Sequence, residues 1–145
     1  MANNRLALLE AKIIQRVEGA LVIAGELVAT EARRSVQKSG RSGRVYKKTN
    51  PKRTHKASAP GEAPATDLGF LARSIQVEPE TQNLRVKILS IHSIAPYARA
   101  LEYGDMSRNL YPRPFMRPAL KQMRTKAEKV VHDAVKKAIR ESNSQ

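Results

Sequence analysis

The chain has 145 residues, with 27 Lys and Arg against 13 Asp and Glu, which gives a net charge of +14 at pH 7. This length suits one domain with a modest core, and aromatic residues make up only 4%, so aliphatic side chains must fill that core. The lack of cysteine in the sequence excludes a disulfide framework, a cysteine zinc site and thiol catalysis. The most apolar window, 20–29, is too short to cross a bilayer, so we expect no membrane partner.

The first predicted element is a long helix over residues 4–38. Apolar residues recur there at steps of three and four from Leu6 to Ala32. A helix of that length extends about 50 Å at 1.5 Å per residue, which exceeds the width of a small domain. Further apolar residues widen the stripe and indicate a second buried face, as in an oligomer. These residues are Leu8, Ile14, Leu21, Val22 and Ile23.

Half of the net charge lies in the segment 35–66, which has eight basic residues and one acidic residue. The segment is rich in Ser, Gly, Thr and Pro, and such a composition buries too little surface to offset the entropy of ordering. We therefore predict a mobile basic arm over residues 39–66. The arm either contacts nucleic-acid phosphates or an acidic partner, or is a solvated insertion that aids solubility. The candidate contact residues are Arg41, Arg44, Lys47, Lys48, Lys52, Arg53 and Lys56.

The middle of the chain predicts a small antiparallel sheet over residues 68–93. Residues 71–77 alternate weakly between apolar and polar, whereas residues 84–91 alternate apolar with basic more clearly. The polar stretch 78–83 between them is typical of a turn. We expect a hairpin, with a third strand as an open alternative.

The last third of the sequence predicts a short helix, an elbow and a long helix. The short helix covers 96–103 and ends at Gly104, the Pro-rich elbow covers 110–118, and the C-terminal helix covers 115–141. Bulky side chains are expected to pack the short helix against the last one, namely Tyr97, Tyr103, Phe115 and Met116. The element order predicts a single α+β domain over 1–145, in which two long helices cover a small sheet.

The sequence shows no catalytic signature. It has no glycine-rich phosphate loop, and its three histidines lie at no metal-ligand spacing. No nucleophile motif surrounds Ser74, so a triad with His92 and Asp67 has no support. The candidate carboxylates outside the two long helices complete no metal motif either; they are Glu78, Glu80, Glu102 and Asp105. We therefore expect a non-enzymatic protein with no cofactor and no metal.

Two segments, 60–75 and 97–119, carry specific local patterns. In the first, Pro60-Gly61 predicts a turn, and Gly69 predicts a positive φ or a close backbone approach before a strand. In the second, the glycine stop and the elbow fix the angle at which the last helix begins. The structural anchors predicted from both segments are Pro60, Gly61, Gly69, Tyr97, Tyr103, Gly104, Pro114, Phe115 and Met116.

Together these segments resemble the gene-product-ten-like tail-component proteins of long-tailed, lambdoid-type bacteriophages. The family carries a Pro-Gly-Glu-x-Pro segment that runs into Gly-x-Leu-x-x-Ser-Ile, then Tyr-Ala-x-x-x-Glu-[Tyr/Phe]-Gly and Arg-Pro-Phe-Met-x-Pro-Ala. The matching stretches are Pro60 to Ile75, Tyr97 to Gly104 and Arg113 to Ala119. Asp105 departs from the family, which often has Thr there, and the long basic arm varies among relatives.

The resemblance implies a non-enzymatic virion protein at the head–tail junction: a neck, head–tail connector or tail-completion subunit. Such proteins form rings, here expected as a hexamer or a twelvefold ring, that join the capsid portal–adaptor complex to the tail. The implied partners are the head–tail adaptor and the tail terminator or tail tube proteins, with phage DNA in the channel as a further candidate. The implied location is the virion, after assembly in the host bacterial cytoplasm.

Two other functions stay open on the sequence. The main alternative is a small basic nucleic-acid-binding protein that uses residues 39–56, and it predicts binding that weakens steeply with salt. A metal-dependent nuclease is the third hypothesis, and it predicts cleavage with magnesium or manganese.

Overall fold

The computed structural model describes residues 2–38, 42–81 and 87–143. The α+β fold predicted from the sequence is confirmed. In chain order its elements are helix α1 (Ala2–Lys38), strands β1 (Val45–Thr49) and β2 (Lys52–Lys56), helix α2 (Phe70–Arg73), strands β3 (Ile75–Thr81) and β4 (Lys87–Ser93), helix α3 (Ala98–Tyr103), a 3-10 turn (Met106–Arg108) and helix α4 (Met116–Asn143).

The two long helices pack side by side in antiparallel orientation. At one end, an Arg16 guanidinium nitrogen of α1 lies 3.0 Å from a Glu141 carboxylate oxygen of α4. At the other end, Phe115 at the start of α4 packs in the same core as Val36. At 1.5 Å per residue, α1 is about 55 Å long. No helix in the described part of the chain is long and apolar enough to cross a membrane.

The β3–β4 hairpin packs on the second half of α1. Its antiparallel register places Val77 opposite Ile91. Gly25 of α1 makes room for the sheet, because a Cβ at this position would overlap Leu89 and lie 2.9 Å from Val77 Cγ1. Gly25 is therefore needed for the close packing of the sheet on α1. In addition, the Arg33 side chain donates a hydrogen bond of 2.7 Å to the Ile75 carbonyl oxygen.

The core lies where α1, α2, the β3–β4 sheet and the start of α4 meet. Its buried members include Val28, Ala29, Ala32, Val36, Leu71, Ala72, Ile75, Phe115, Ala119 and Met123. Between residues 6 and 19, where every side chain is described, none is buried. We call residues 20–36 the proximal half of α1 and residues 6–19 its distal half.

The sequence prediction for residues 68–83 was wrong in detail. The strand expected from residue 71 begins at Ile75, because Gly69 at φ 75° turns the backbone into the single helical turn of α2. Residues 78–81, expected in a turn, continue β3, and residues 82–83 lie outside the described residues. The described chain forms two separate two-stranded sheets, so no third strand joins β3–β4 within it. The short helix begins at Ala98 instead of residue 96.

The basic arm also differs from its prediction. A loop without secondary structure was expected over 39–66, but residues 45–56 form the antiparallel hairpin β1–β2. The Asn50–Pro51 peptide at its tip is cis. The hairpin continues toward the body through backbone hydrogen bonds of 2.9 Å that join Ala57 to Gly43 and Arg44.

Candidate interaction surfaces

One face of the β1–β2 hairpin is held by Asp67. Its Oδ2 accepts hydrogen bonds from Lys48 Nζ and, at 2.9 Å, from an Arg53 guanidinium nitrogen. His55 Nδ1 lies 3.6 Å from Oδ1. The hydrogen bond from Lys48, together with the charge of Arg53, holds the pKa of Asp67 below its ordinary value. Lys48 and Arg53, both predicted as partner contacts, thus form ion pairs within the chain that fix the hairpin.

The other predicted contact residues have different surroundings. The Arg44 guanidinium lies 5.8 Å from the centre of the Tyr46 ring, in cation–π range. Arg41 lies outside the described residues. The remaining lysines lie together on the exposed face of the hairpin, at Lys47, Lys52 and Lys56.

The Pro60-Gly61 turn is confirmed as a type II turn. The Glu62 N–H donates to the Ala59 carbonyl at 3.2 Å across the turn, and Gly61 has φ 83°, which favours glycine at this position. The Gly61 N–H donates in turn to the Pro112 carbonyl at 2.9 Å. This turn therefore links the two motif segments that the sequence singled out.

Glu102 caps the N-terminus of α4 from the end of α3. The carboxylate is buried, at 5% residue exposure, and accepts backbone hydrogen bonds from Phe115 at 2.7 Å and from Met116 and Arg117 at 3.0 Å. The Arg117 side chain adds a further bond at 3.0 Å. Burial alone raises the pKa of Glu102, but these hydrogen bonds outweigh it and the pKa lies below its ordinary value. The N–H groups at a helix start lack intrahelical acceptors, and the Glu102 carboxylate is the acceptor for those of α4.

The two later glycines of the motifs are conformational requirements. Gly104 ends α3 at φ 82°, and a Cβ there would lie 2.9 Å from Pro112 Cδ and 3.0 Å from the Leu110 oxygen. Gly69 has φ 75°, and its N–H donates to Thr66 Oγ1 at 2.8 Å. The positive φ predicted at Gly69 and the helix end predicted at Gly104 are confirmed, although α2 follows Gly69 where a strand was expected.

The bulky residues predicted as anchors differ from one another in burial and in the element they contact. Phe115 is 1% exposed in the core, Met116 packs against that core, and Pro114 before them is half-buried. Tyr103 is 61% exposed and contacts α4 through the Arg117 guanidinium, 4.8 Å from its ring centre. Tyr97 was wrongly predicted to face α4, because its ring contacts Phe70 of α2 at a centroid distance of 6.3 Å.

The carboxylates considered for metal chemistry do not converge. Glu78 and Glu80 are exposed on β3, and Asp105 accepts a hydrogen bond of 3.1 Å from the Ser107 N–H. Within the three described ranges, no group of three or more His, Asp or Glu residues is placed to hold a metal ion. Ser74 is buried and donates to the Leu71 carbonyl at 2.7 Å, which is a structural role at the end of α2.

A second apolar face runs along α1 on its exposed side. We call it the outer α1 face; its most exposed apolar members are Leu8 at 61% and Ile23 at 57%. Gly19 lies within it, and a Cβ added there would meet nothing within 4 Å. The other exposed residues of this face are the uncharged Ala11, Gln15, Val22 and Thr30 and the charged Lys12 and Glu26. The exposed side of α4 is instead strongly charged, with Lys121, Arg124, Glu128, Lys129, Asp133 and Lys136.

No protein-family model, curated protein or solved structure matches this chain. The resemblance to phage tail-component proteins therefore stays a prediction that rests on the segments 60–75 and 97–119.

Proposed function

We propose that this protein is a structural, non-enzymatic subunit of the head–tail junction of a tailed bacteriophage, and that its copies assemble into a ring between the portal–adaptor complex and the tail. The outer α1 face is the observation that carries the proposal. Exposed apolar side chains on a second side of a helix, here Leu8, Val22 and Ile23, gain stability when a partner covers them. In this chain α4 covers one side of the distal half of α1, and the outer face stays exposed.

The motif residues support a structural role because they act on one another. The Gly61 N–H bonds to Pro112, the Arg113 guanidinium donates to the Ser58 carbonyl at 3.2 Å, and Glu102 caps α4. The first two contacts join the loop 58–61 to the elbow before α4, and the third joins α3 to the start of α4. The most patterned residues of the sequence are therefore occupied in positioning α4 against the rest of the domain.

A second exposed apolar surface favours a ring over a twofold dimer. Leu68, Phe70, Ile94 and Tyr97 are exposed around α2 and the start of α3, on elements other than α1. A twofold dimer uses the same surface on both copies, whereas a closed ring joins two different surfaces head to tail. Two separate apolar surfaces on one chain fit the ring.

The solution mass of the purified protein tests this proposal. It is measured alone and with the adaptor and tail-terminator proteins of the same phage, at low and at high salt. We expect a discrete multimer, or a monomer that becomes a ring on its partner, and the apolar contact should persist at high salt. A protein that stays monomeric with both partners present would refute the proposal.

The alternative function, a free-standing nucleic-acid-binding protein that uses residues 39–56, predicts the opposite result. It expects a monomer that ignores virion proteins and gains mass with DNA at low salt. Assembly alone or on the virion proteins distinguishes the two functions, because the ring subunit is expected to multimerise in one of these settings and the free-standing binder in neither.

A further inference from the structure

The β1–β2 hairpin has two chemically different faces because strand side chains alternate. Lys48 pairs with Arg53 across the strands and Tyr46 with His55, and this inner face is turned toward Asp67. The opposite side, which we call the lysine face, is exposed throughout. It consists of Val45, Lys47, Thr49, Lys52, Thr54 and Lys56.

The three lysines of this face are neighbours. Lys47 lies directly opposite Thr54, which has Lys52 and Lys56 two residues away on either side along β2. Diagonal neighbours of this kind in an antiparallel pair lie about 7 to 8 Å apart. Lys47 lies at that spacing from both other lysines, which are themselves four residues, or about 13 Å, apart along β2. Lys47 therefore repels both of its neighbours, and an extended anion that contacts all three relieves the repulsion.

No carboxylate of the described chain forms an ion pair with these lysines. Glu62 is within electrostatic range of Lys56, but its oxygens accept hydrogen bonds from Ser42 and from the Ala59 N–H at 2.8 Å. The inner-face cations differ, since Asp67 already neutralises Lys48 and Arg53 in part. The structure thus separates basic residues that stabilise the hairpin from basic residues that are left for a partner.

We propose that the lysine face binds the sugar–phosphate backbone of double-stranded nucleic acid without reading its sequence. Lysines and threonine hydroxyls are typical phosphate contacts, and a two-stranded ribbon is narrow enough for a major groove. The face has no Arg, Asn or Gln, whose planar groups form paired hydrogen bonds to a base edge, and its lysines act as point charges that suit phosphates. Tyr46, the aromatic residue of the hairpin, belongs to the inner face. The cores of protein–protein interfaces are poor in lysine and rich in aromatic residues, which disfavours an acidic protein as the partner. The inference does not depend on ring formation.

Binding of a labelled mixed-sequence DNA duplex, followed by fluorescence anisotropy across a salt series, tests the proposal. The test variant K47Q/K52Q/K56Q removes three phosphate contacts from each bound protomer. The slope of log affinity against log salt should then fall in magnitude by about 2.7, which corresponds to about a 40-fold smaller change between 50 and 200 mM salt. The variant K47R/K52R/K56R keeps the charges and should keep the wild-type slope.

The matched control is K121Q/K129Q/K136Q, which removes the same charge from exposed positions of α4. It should leave the slope within about one unit of wild type if binding is local to the hairpin. Equal losses for both glutamine triples would show that net charge alone drives binding and would overturn the proposal. The proposal would also be overturned if the wild type bound single-stranded DNA more tightly than the duplex, or did not bind the duplex. It would be overturned as well if K47Q/K52Q/K56Q lost binding only to the adaptor or terminator protein. Circular dichroism and melting of each variant confirm that the fold is retained.

Discussion

The two halves of α1 belong to the same helix but have different surroundings. The proximal half has α4 on one side and the β3–β4 sheet and α2 on others, and it holds Ala24, Val28, Ala32 and Val36 in the buried core. The distal half has α4 beside it, and none of its residues from 6 to 19 is buried. A two-helix contact covers one stripe of a helix, so the outer α1 face stays in water.

This difference shows that one helix can complete a core and also begin an interface. The buried side of the proximal half derives its stability from within the chain. The outer α1 face, which extends from Leu8 in the distal half to Thr30 in the proximal half, is covered in our proposal only when another copy packs on it. Variants of the buried core and variants of the outer α1 face therefore separate folding from assembly.

The largest expected effect is in the proximal core. Phe115→Ala removes a side chain that is 1% exposed and should lower the free energy of unfolding by about 3 to 5 kcal/mol. Leu120→Ala, at a 52% exposed position one turn later on α4, is the control and should cost less than about 1 kcal/mol. Urea denaturation of both variants measures these losses in the free energy of unfolding. Similar losses for the two would mean that the core does not lie where the structure places it.

The next effect concerns the cap of α4. Glu102→Ala leaves the N–H groups of Phe115, Met116 and Arg117 without their acceptor and should cost about 2 to 3 kcal/mol. Glu128→Ala removes an exposed carboxylate from the same helix, paired with Arg124 at 2.8 Å, and should cost less than about 0.5 kcal/mol. Chemical denaturation at neutral pH compares the two, and a cost for Glu102→Ala no greater than that for Glu128→Ala would argue against the cap.

The same cap predicts a pH dependence. The pKa of Glu102 in the folded protein lies below its ordinary value of 4.5, so the unfolded chain takes up a proton first as the pH falls. The stabilisation by Glu102 is therefore complete above that ordinary value and is lost as the pH falls through the lower folded-state pKa. Unfolding of wild type and Glu102→Gln across this range should show a stability difference that shrinks toward acid pH. A difference that stays constant would contradict the role of the charge.

The smallest effects compare two glycines, one in each half of α1. Gly25→Ala places a methyl group against Leu89 and Val77 and should destabilise by about 1 to 2 kcal/mol, despite the better helix propensity of alanine. Gly19→Ala meets nothing within 4 Å and should stabilise by about 0.5 to 1 kcal/mol. The free energy of unfolding of both glycine variants is measured by urea denaturation in a V22E/I23E background, so that association of copies does not contribute. Stability changes of the same sign for the two variants would contradict the different packing of the two halves of α1.

Local pattern was sufficient to predict the long helices, from their hydrophobic periodicity, and the elbow, from its prolines. The hairpin β1–β2 was missed because its residues are polar and it is held by Asp67, a contact 14 residues from Arg53 that no local pattern reveals. Val45-Tyr46 followed by Asn50-Pro51 was the available signal for a strand and a turn.

The roles of two single residues were also beyond local reasoning. Glu102 caps a helix that begins 14 residues later, so the usual capping pattern at the helix start does not indicate it. A glycine such as Gly25 weakens a helix by its local propensity, but here it accommodates the sheet, which depends on tertiary packing. Of the five surplus apolar residues noted in the sequence, Leu8, Val22 and Ile23 lie on the outer α1 face. Ile14 and Leu21 are half-buried, and Leu21 lines a groove with Ala127 and Val131 of α4. Composition reveals surplus apolar residues, but tertiary packing decides which of them α4 covers.

Sedimentation velocity of three proteins, measured side by side, tests whether the outer α1 face is the surface through which copies assemble. They are wild type, V22E/I23E on the outer α1 face, and Q122E/T125E, which adds the same charge to exposed positions of α4. We expect wild type and Q122E/T125E to form the same multimer, alone or on the partner proteins, and V22E/I23E to stay a folded monomer in both settings. A wild-type protein that is monomeric in both, or a V22E/I23E multimer of wild-type mass, would contradict this expectation.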